Sequence, residues 1–301
     1  MSDSPDAAPS CYRHPKRETY ISCQRCGRPI CPECQTQAAV GVQCPECMAQ
    51  GRASVPRRSP VRRVAAAMRP TGTPVVTYIL IGACIIAYAL QYLTGGALTQ
   101  AWLMDPALAA SEPWRLLTSG FLHSTAFAFP IHLLLNMYAI YVFGPALESF
   151  LGRARYLALY LIAAVGGSVA EVLNFQLVIA THGQIVEATG GFISYSASLG
   201  ASGAVFGLMG ALLVGRKAIG LRLTPLLIIV GLNLVIGFTV PNIAWQAHLG
   251  GFAIGAAVMA VYLATRRREH RPRQILGVAG IVAGLLAVVV VCVVTGAPYY
   301  H

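Results

Sequence analysis

Seven apolar stretches, each close to the length that crosses a bilayer, constrain this chain more than any other feature. They lie near 75–93, 129–147, 156–179, 200–215, 223–240, 243–264 and 275–296. About 20 apolar residues in a helix span the hydrocarbon layer, and a helix satisfies its own backbone there. The stretch at 200–215 is short, which predicts a helix that starts below the membrane surface or packs tightly. Only 11% of residues are charged, against roughly 25% in a soluble domain. The expected fold class is an all-α polytopic membrane protein.

The net charge of +11 raises the question of nucleic acid, and its distribution answers it. Beyond residue 51, sixteen of seventeen Lys and Arg fall before span one or in the loops after spans two, four and six. Arg115 is the exception. This is a positive-inside pattern. It predicts a cytoplasmic N-terminus, an external C-terminus, contact with anionic lipid headgroups and no nucleic acid partner. Residues 1–50 hold no apolar run of the signal-peptide kind, so span one is expected to act as an uncleaved anchor. The short loops favour a bacterial plasma membrane.

Seven of the nine cysteines lie between residues 11 and 47. They form the knuckles Cys11-x2-His14, Cys23-x2-Cys26, Cys31-x2-Cys34 and Cys44-x2-Cys47. Eight ligands suffice for two tetrahedral Zn2+ sites with no open position, so the ions are expected to be structural. Disulfides need an oxidising compartment, and the charge pattern puts this segment in the cytosol. A single His is often a surface residue, and the distance of His14 from Cys11 argues for ligation. With so few apolar residues, the segment needs metal to fold. The expected organisation is a zinc-binding module at 1–50, a flexible basic linker at 51–74, a six-helix domain at 75–264, and a basic loop, seventh span and short external tail at 265–301.

Polar residues inside spans are functional candidates. His132 lies about four residues into span two, Ser202 about three into span four and His248 about five into span six, all within one or two turns of the external end at about 1.5 Å per residue. Asn136 shares a helix face with His132. Gly203, Gly207 and Ala211 make one small-residue stripe, and Ala247, Gly251 and Gly255 another, which lets two helices approach. Ser202 then suits a nucleophile, and His248 the base that takes its proton and returns it to the leaving amine. His132, Asn136 and the Ser202 N–H suit an oxyanion. Glu171 has the wrong depth in span three to orient His248, so a dyad is expected. The bland readings are a serine bonded back one turn, a packed histidine, and polar glue between helices. His123, His182, His270 and His301 receive no role, and Cys84 and Cys292 read as apolar filler.

Three segments carry a family resemblance: Gly200-Ala201-Ser202-Gly203-Ala204-Val205-Phe206-Gly207, Ala247-His248-Leu249-Gly250-Gly251 and His132-Leu133-Leu134-Leu135-Asn136. Together they resemble the rhomboid family of intramembrane serine proteases. The resemblance covers roughly 75–264 and includes the pair Trp114-Arg115, read as structural. It implies a rhomboid-like six-helix bundle, the Ser202–His248 dyad, the same oxyanion donors, transmembrane proteins as substrates and no catalytic cofactor. Phe206 departs from the Tyr of many relatives; it keeps the ring that stacks on the catalytic His and loses the hydroxyl. The seventh span lies outside the six-helix unit. Residues 11–47, with Arg28-Pro29-Ile30-Cys31-Pro32, resemble a B-box zinc finger. That resemblance implies interleaved ligands: Cys11, His14, Cys31 and Cys34 on one ion, and Cys23, Cys26, Cys44 and Cys47 on the other.

The expected function is therefore intramembrane serine endopeptidase. The alternatives are a rhomboid-like non-enzymatic factor that binds membrane proteins, against which the presence of both Ser202 and His248 counts, and a transporter, which the lack of an inverted repeat disfavours. For the zinc module the sequence leaves open substrate recruitment, a cytosolic protein partner and self-association.

Overall fold

The computed structural model describes residues 8–39, 41–54, 72–125, 130–188, 198–239 and 244–296. The chain divides into two compact units, Met1–Arg62 and Arg63–His301.

In the first unit a short antiparallel hairpin, β1 (Thr36–Gln37) and β2 (Val42–Gln43), leads into helix α1 (Pro45–Ser54). Its core is Ile30 surrounded by sulfur, with Cys11, Cys23, Cys31, Cys34, Cys44 and Cys47 all buried. Burying one isoleucine contributes about 1.5–3 kcal/mol, while ordering each residue's backbone costs about 1–2 kcal/mol. Apolar burial alone cannot hold this unit. Helix α1 runs four residues past the expected module boundary, and most of the expected linker lies outside the described residues.

The second unit is helical: α2 (Val75–Leu93), α3 (Ala97–Trp102), α4 (Arg115–Thr118), α5 (Ile131–Leu151), α6 (Arg153–Ala188), α7 (Ser202–Ile219), α8 (Leu223–Thr239), α9 (Trp245–Ala264) and α10 (Arg271–Thr295). Six of these helices are long and apolar enough to cross a membrane. The expected span at 223–240 appears as α8, which has 17 described residues.

Helices α6, α7 and α9 form the centre, and glycine is the reason they can. A Cβ on Gly251 would collide with the Gly203 carbonyl, and one on Gly255 with the Gly207 carbonyl. Gly167 lies against Gly203 and the Ala247 carbonyl in the same way. The two small-residue stripes read from the sequence thus face each other. Helix α10 adds Leu285, Val289 and Cys292 to a cluster with Val169, Val172 and Phe175 of α6, so the seventh span packs against the bundle. At the other end of the unit, buried Glu148 of α5 caps α2, accepting from the Val76 N–H (2.9 Å), the Thr77 N–H (2.9 Å) and the Thr77 hydroxyl (2.8 Å).

The connection between α2 and α5 is fixed by Arg115, buried with 5% exposure. Its guanidinium donates to the carbonyls of Gln100 (2.7 Å) and Leu103 (2.9 Å) and to Glu112 (2.6 Å). Trp114 Nε1 donates to the Ala101 carbonyl. The structural reading of Trp114-Arg115 matches these contacts.

Candidate functional site

Ser202 is the first residue of α7, and Ala201 precedes it at the cap. The first intrahelical bond runs from Val205 N–H to the Ala201 carbonyl, so the Ser202 N–H has no partner within the helix. Such an end favours negative charge. The chain reaches it through Ser198, paired with Met104 as an antiparallel bridge, and Gly200, whose N–H donates to the Ser119 carbonyl (3.0 Å). Gly200 has φ +141°, a region that L side chains rarely adopt.

Gly200 also marks the space beside the serine. A Cβ built there would stand 3.1 Å from His132 Nε2, 2.9 Å from His132 Cε1 and 3.6 Å from Ser202 Oγ. The hydroxyl and the imidazole thus look onto one point that only glycine leaves empty. His132 Nδ1 accepts the backbone N–H of Ser124 (3.1 Å). Asn136, buried one turn along α5, donates Nδ2 to the His132 carbonyl (2.8 Å).

His248 is buried on α9, and its ring lies parallel to that of Phe206 on α7. Its Nδ1 has no hydrogen-bond partner among the described residues. The structure holds α7 and α9 at glycine contact with Ser202 and His248 on the facing ends, and no hydrogen bond joins the two side chains in this arrangement. Bonds of this kind are often loose before substrate binds.

Behind Ser202 lies a cavity of ≈ 30 Å³, lined among others by Ser119, Ser168, Glu171, Ser198 and Gly203. That is room for about two waters with polar partners on several sides. Glu171 is buried and accepts a hydrogen bond from the Ser198 hydroxyl. Its position corrects the depth estimate from the sequence. Helix α6 extends well past the start of α7, so Ser202 lies opposite the middle of α6. Through Ser198, Glu171 holds the segment that leads into Ser202.

His123, to which the sequence assigns no role, is fully buried, with its ring 5.3 Å from that of His132 and tilted by 54°. Its Nδ1 lies 3.3 Å from the Phe121 carbonyl. The available sequence signal is its place nine residues ahead of His132.

In the first unit the ligand atoms gather in two groups, Cys11, His14, Cys31 and Cys34, and Cys23, Cys26, Cys44 and Cys47, each group lying within 4.8 Å. This is the interleaved pairing. A tetrahedron with Zn–S of about 2.3 Å has S···S edges of about 3.8 Å; Cys26 and Cys44 Sγ are 3.8 Å apart. His14 Nδ1 lies 3.3, 3.5 and 3.8 Å from the sulfurs of Cys31, Cys34 and Cys11. Burial raises the thiols of Cys11 and Cys23, but nearby backbone N–H donors outweigh it and bring both down to about 6. Burial and neighbouring thiols push Cys34 up to about 11 and Cys47 up to about 12. Four crowded ligands cannot all ionise alone, and a divalent cation removes that conflict. The residues present therefore fit a metal in both groups.

The rhomboid domain matches residues 110–265. The rhomboid protease GluP of Bacillus subtilis is 31% identical over 233 residues, 74% of this chain and 41% of that protein. The RHOMBOID-like protein 6, mitochondrial, of Arabidopsis thaliana is 31% identical over 208 residues, 58% of this chain and 60% of that protein. The putative rhomboid protease YdcA of Bacillus subtilis is 31% identical over 173 residues, 54% of this chain and 73% of that protein. The chain thus spans about two fifths of the length of the first of these relatives and three fifths of the second.

Proposed function

We propose, from the premise that this chain belongs to the rhomboid family, that it is a serine endopeptidase cutting membrane proteins within or beside a transmembrane helix. It is a multi-pass integral membrane protein by family and by its six apolar helices. The observation that carries the reading is the point above Gly200, which faces Ser202 Oγ and His132 Nε2 together.

In this reading Ser202 Oγ attacks the scissile carbonyl, and its proton passes to His248. The carbonyl oxygen, now negative, takes hydrogen bonds from the Ser202 N–H and from His132 Nε2 in the space that Gly200 keeps clear. Asn136 has spent one Nδ2 hydrogen on the His132 carbonyl and keeps a second for the oxyanion. His248 then protonates the leaving amine. Water from the cavity beside Ser202 and Glu171 attacks the acyl-enzyme, and His248 takes the water's proton and returns one to Ser202. A substrate helix hides its carbonyls in its own hydrogen bonds, so it must unwind to reach Ser202. Segments with small or helix-breaking residues are the favoured substrates.

The charge asymmetry supports a cytoplasmic N-terminus and an external C-terminus in a bacterial plasma membrane. The two ligand groups of the first unit are assigned to structural Zn2+. Thiolate and imidazole donors in a closed tetrahedron suit that ion, and no position is left for catalysis.

The test is cleavage of a fused transmembrane reporter by the purified protein in detergent, beside Ser202→Ala and His248→Ala. Cutting by the wild type alone supports the reading. No cutting across several reporter helices, with no labelling of Ser202 by a fluorophosphonate, would remove it in favour of a non-enzymatic factor.

A further inference from the structure

Gln91, near the end of α2 and 2% exposed, spends its amide on the backbone of a residue 32 positions away. Its Oε1 accepts the His123 N–H (3.0 Å), and its Nε2 donates to the His123 carbonyl (3.0 Å). The same Nε2 reaches Thr99 Oγ1 (3.0 Å) on α3. A side-chain amide that holds both polar groups of one residue acts like a neighbouring strand. Residue 123 can neither slide nor turn without leaving a buried polar group unpaired, which is costly.

The next residue carries the consequence. Ser124 donates its N–H to His132 Nδ1 (3.1 Å). In a neutral imidazole the nitrogen that accepts a hydrogen bond bears no proton, so the proton sits on the other one. That other nitrogen, Nε2, is the one that faces the empty point above Gly200 beside Ser202 Oγ. The buried His123 ring packs against the His132 ring. A helix remote in sequence is thus joined through one amide, one loop residue and one backbone N–H to the imidazole beside the serine.

We propose that Gln91 is a positioning residue: by clamping His123 it places the Ser124 N–H and holds His132 as the Nε2–H tautomer, aimed at the oxyanion. The proposal rests on the reading of Ser202 as nucleophile and His132 as oxyanion donor. It makes Gln91 matter to the chemical step without touching substrate, and it gives His123 a function in a stretch that the sequence left unassigned.

Two readouts on the full-length protein in detergent test it. The first is the 15N spectrum of histidine-labelled protein, with His132 identified by its loss in His132→Gln. The wild type is expected to show His132 as the Nε2–H tautomer with an accepting Nδ1, and Gln91→Leu to shift both nitrogens toward a mixture. This readout needs no cleavage, so it separates the clamp from the protease reading. The second is kinetic. Gln91→Leu is expected to lower kcat on a transmembrane reporter about ten- to a hundredfold, part of the loss typical of an oxyanion donor, with KM within about twofold. In a His132→Ala background the same change should cost less than about twofold, because the two act through one group. If Gln91→Leu does not fold, Thr99→Val removes one of the three amide bonds and should cost about two- to fivefold in kcat, again only when His132 is present. Unchanged His132 signals in a folded variant, or an equal loss of kcat with and without His132, would overturn the clamp. The expected spectra in a protein that cuts nothing would uphold the clamp and remove the protease reading.

Discussion

The imidazole of His248 lies flat on the ring of Phe206, with centroids 4.2 Å apart and planes 9° from parallel. Phe206 is one helical turn after Ser202 on α7. The helix that carries the proposed nucleophile therefore also carries the plate on which the proposed base rests. The stack sets the plane of the imidazole, and a ring without a hydroxyl adds no competitor for its nitrogens. A stacked aromatic pair is worth about 0.5–1.5 kcal/mol beyond its buried area. Phe206→Leu should lower kcat about tenfold, and Phe206→Tyr should stay within about twofold of the wild type. Reporter cleavage, with fluorophosphonate labelling of Ser202 as a second measure, checks both. A Leu variant as fast as the wild type would show that the stack does not orient the base.

Two glycines separate catalysis from assembly. Gly200→Ala puts a methyl at the point shared by His132 Nε2 and Ser202 Oγ, on backbone at φ +141°. Expected is a loss of cleavage of about a hundredfold or more, the scale of a missing oxyanion donor, with a modest fall in melting temperature. Gly251→Ala instead drives its methyl into the Gly203 carbonyl. Overpacking of this kind costs about 1–3 kcal/mol, so melting temperature and cleavage should fall together. Thermal unfolding in detergent beside the cleavage assay distinguishes the two patterns. A Gly251→Ala protein of wild-type stability would mean that α7 and α9 separate easily.

The cap on α2 gives a stability prediction away from the serine. Glu148 satisfies three donors at once, two of them backbone N–H groups at the helix start. A hydrogen bond contributes about 0.5–1.5 kcal/mol net, and three meet at this one side chain. Glu148→Ala should lower stability by about 2–4 kcal/mol, and Glu148→Gln, which keeps one acceptor oxygen, by about half that. Unfolding curves in detergent report the order. Equal stability of the two variants would mean that solvent already satisfies these donors.

The spans, the facing glycine stripes and the ligand groups were legible because each rests on local rules: apolar length, small-residue period and knuckle spacing. The layer holding Ser202, His132 and His248 followed from counting residues into each span. Contacts between a helix and a distant loop follow no such period. Gln91 reads as an ordinary polar residue near the end of a span, and only the folded loop reveals that His123 is its partner. The depth of Glu171 departs from the sequence expectation for a related reason. Its depth was measured from the ends of an expected span at 156–179, whereas α6 runs over Arg153–Ala188 and α7 starts beside its middle. Depth in such a bundle is set by where neighbours begin, and one segment's hydropathy does not contain that.

The metal module yields the last prediction. Of the eight residues that could hold metal, Cys26 alone is exposed. Arg28 stands over it, donating Nε to Cys26 Sγ (3.3 Å) and NH2 to Glu46, with its guanidinium 4.1 Å above the Tyr12 ring. Tyr12 follows Cys11, a member of the other group, so Arg28 ties the two groups together across a protein core of one isoleucine. Purified protein should carry two zinc ions per chain by elemental analysis, and Cys26→Ser should retain about one, because three remaining ligands hold zinc far more weakly than four. Stripping both ions with a chelator should open the segment around residues 11–47 to protease while leaving reporter cleavage by the membrane domain within about twofold, since metal supplies folding energy to the module alone. Loss of all cleavage on chelation, restored by zinc, would instead tie the module to the serine's activity.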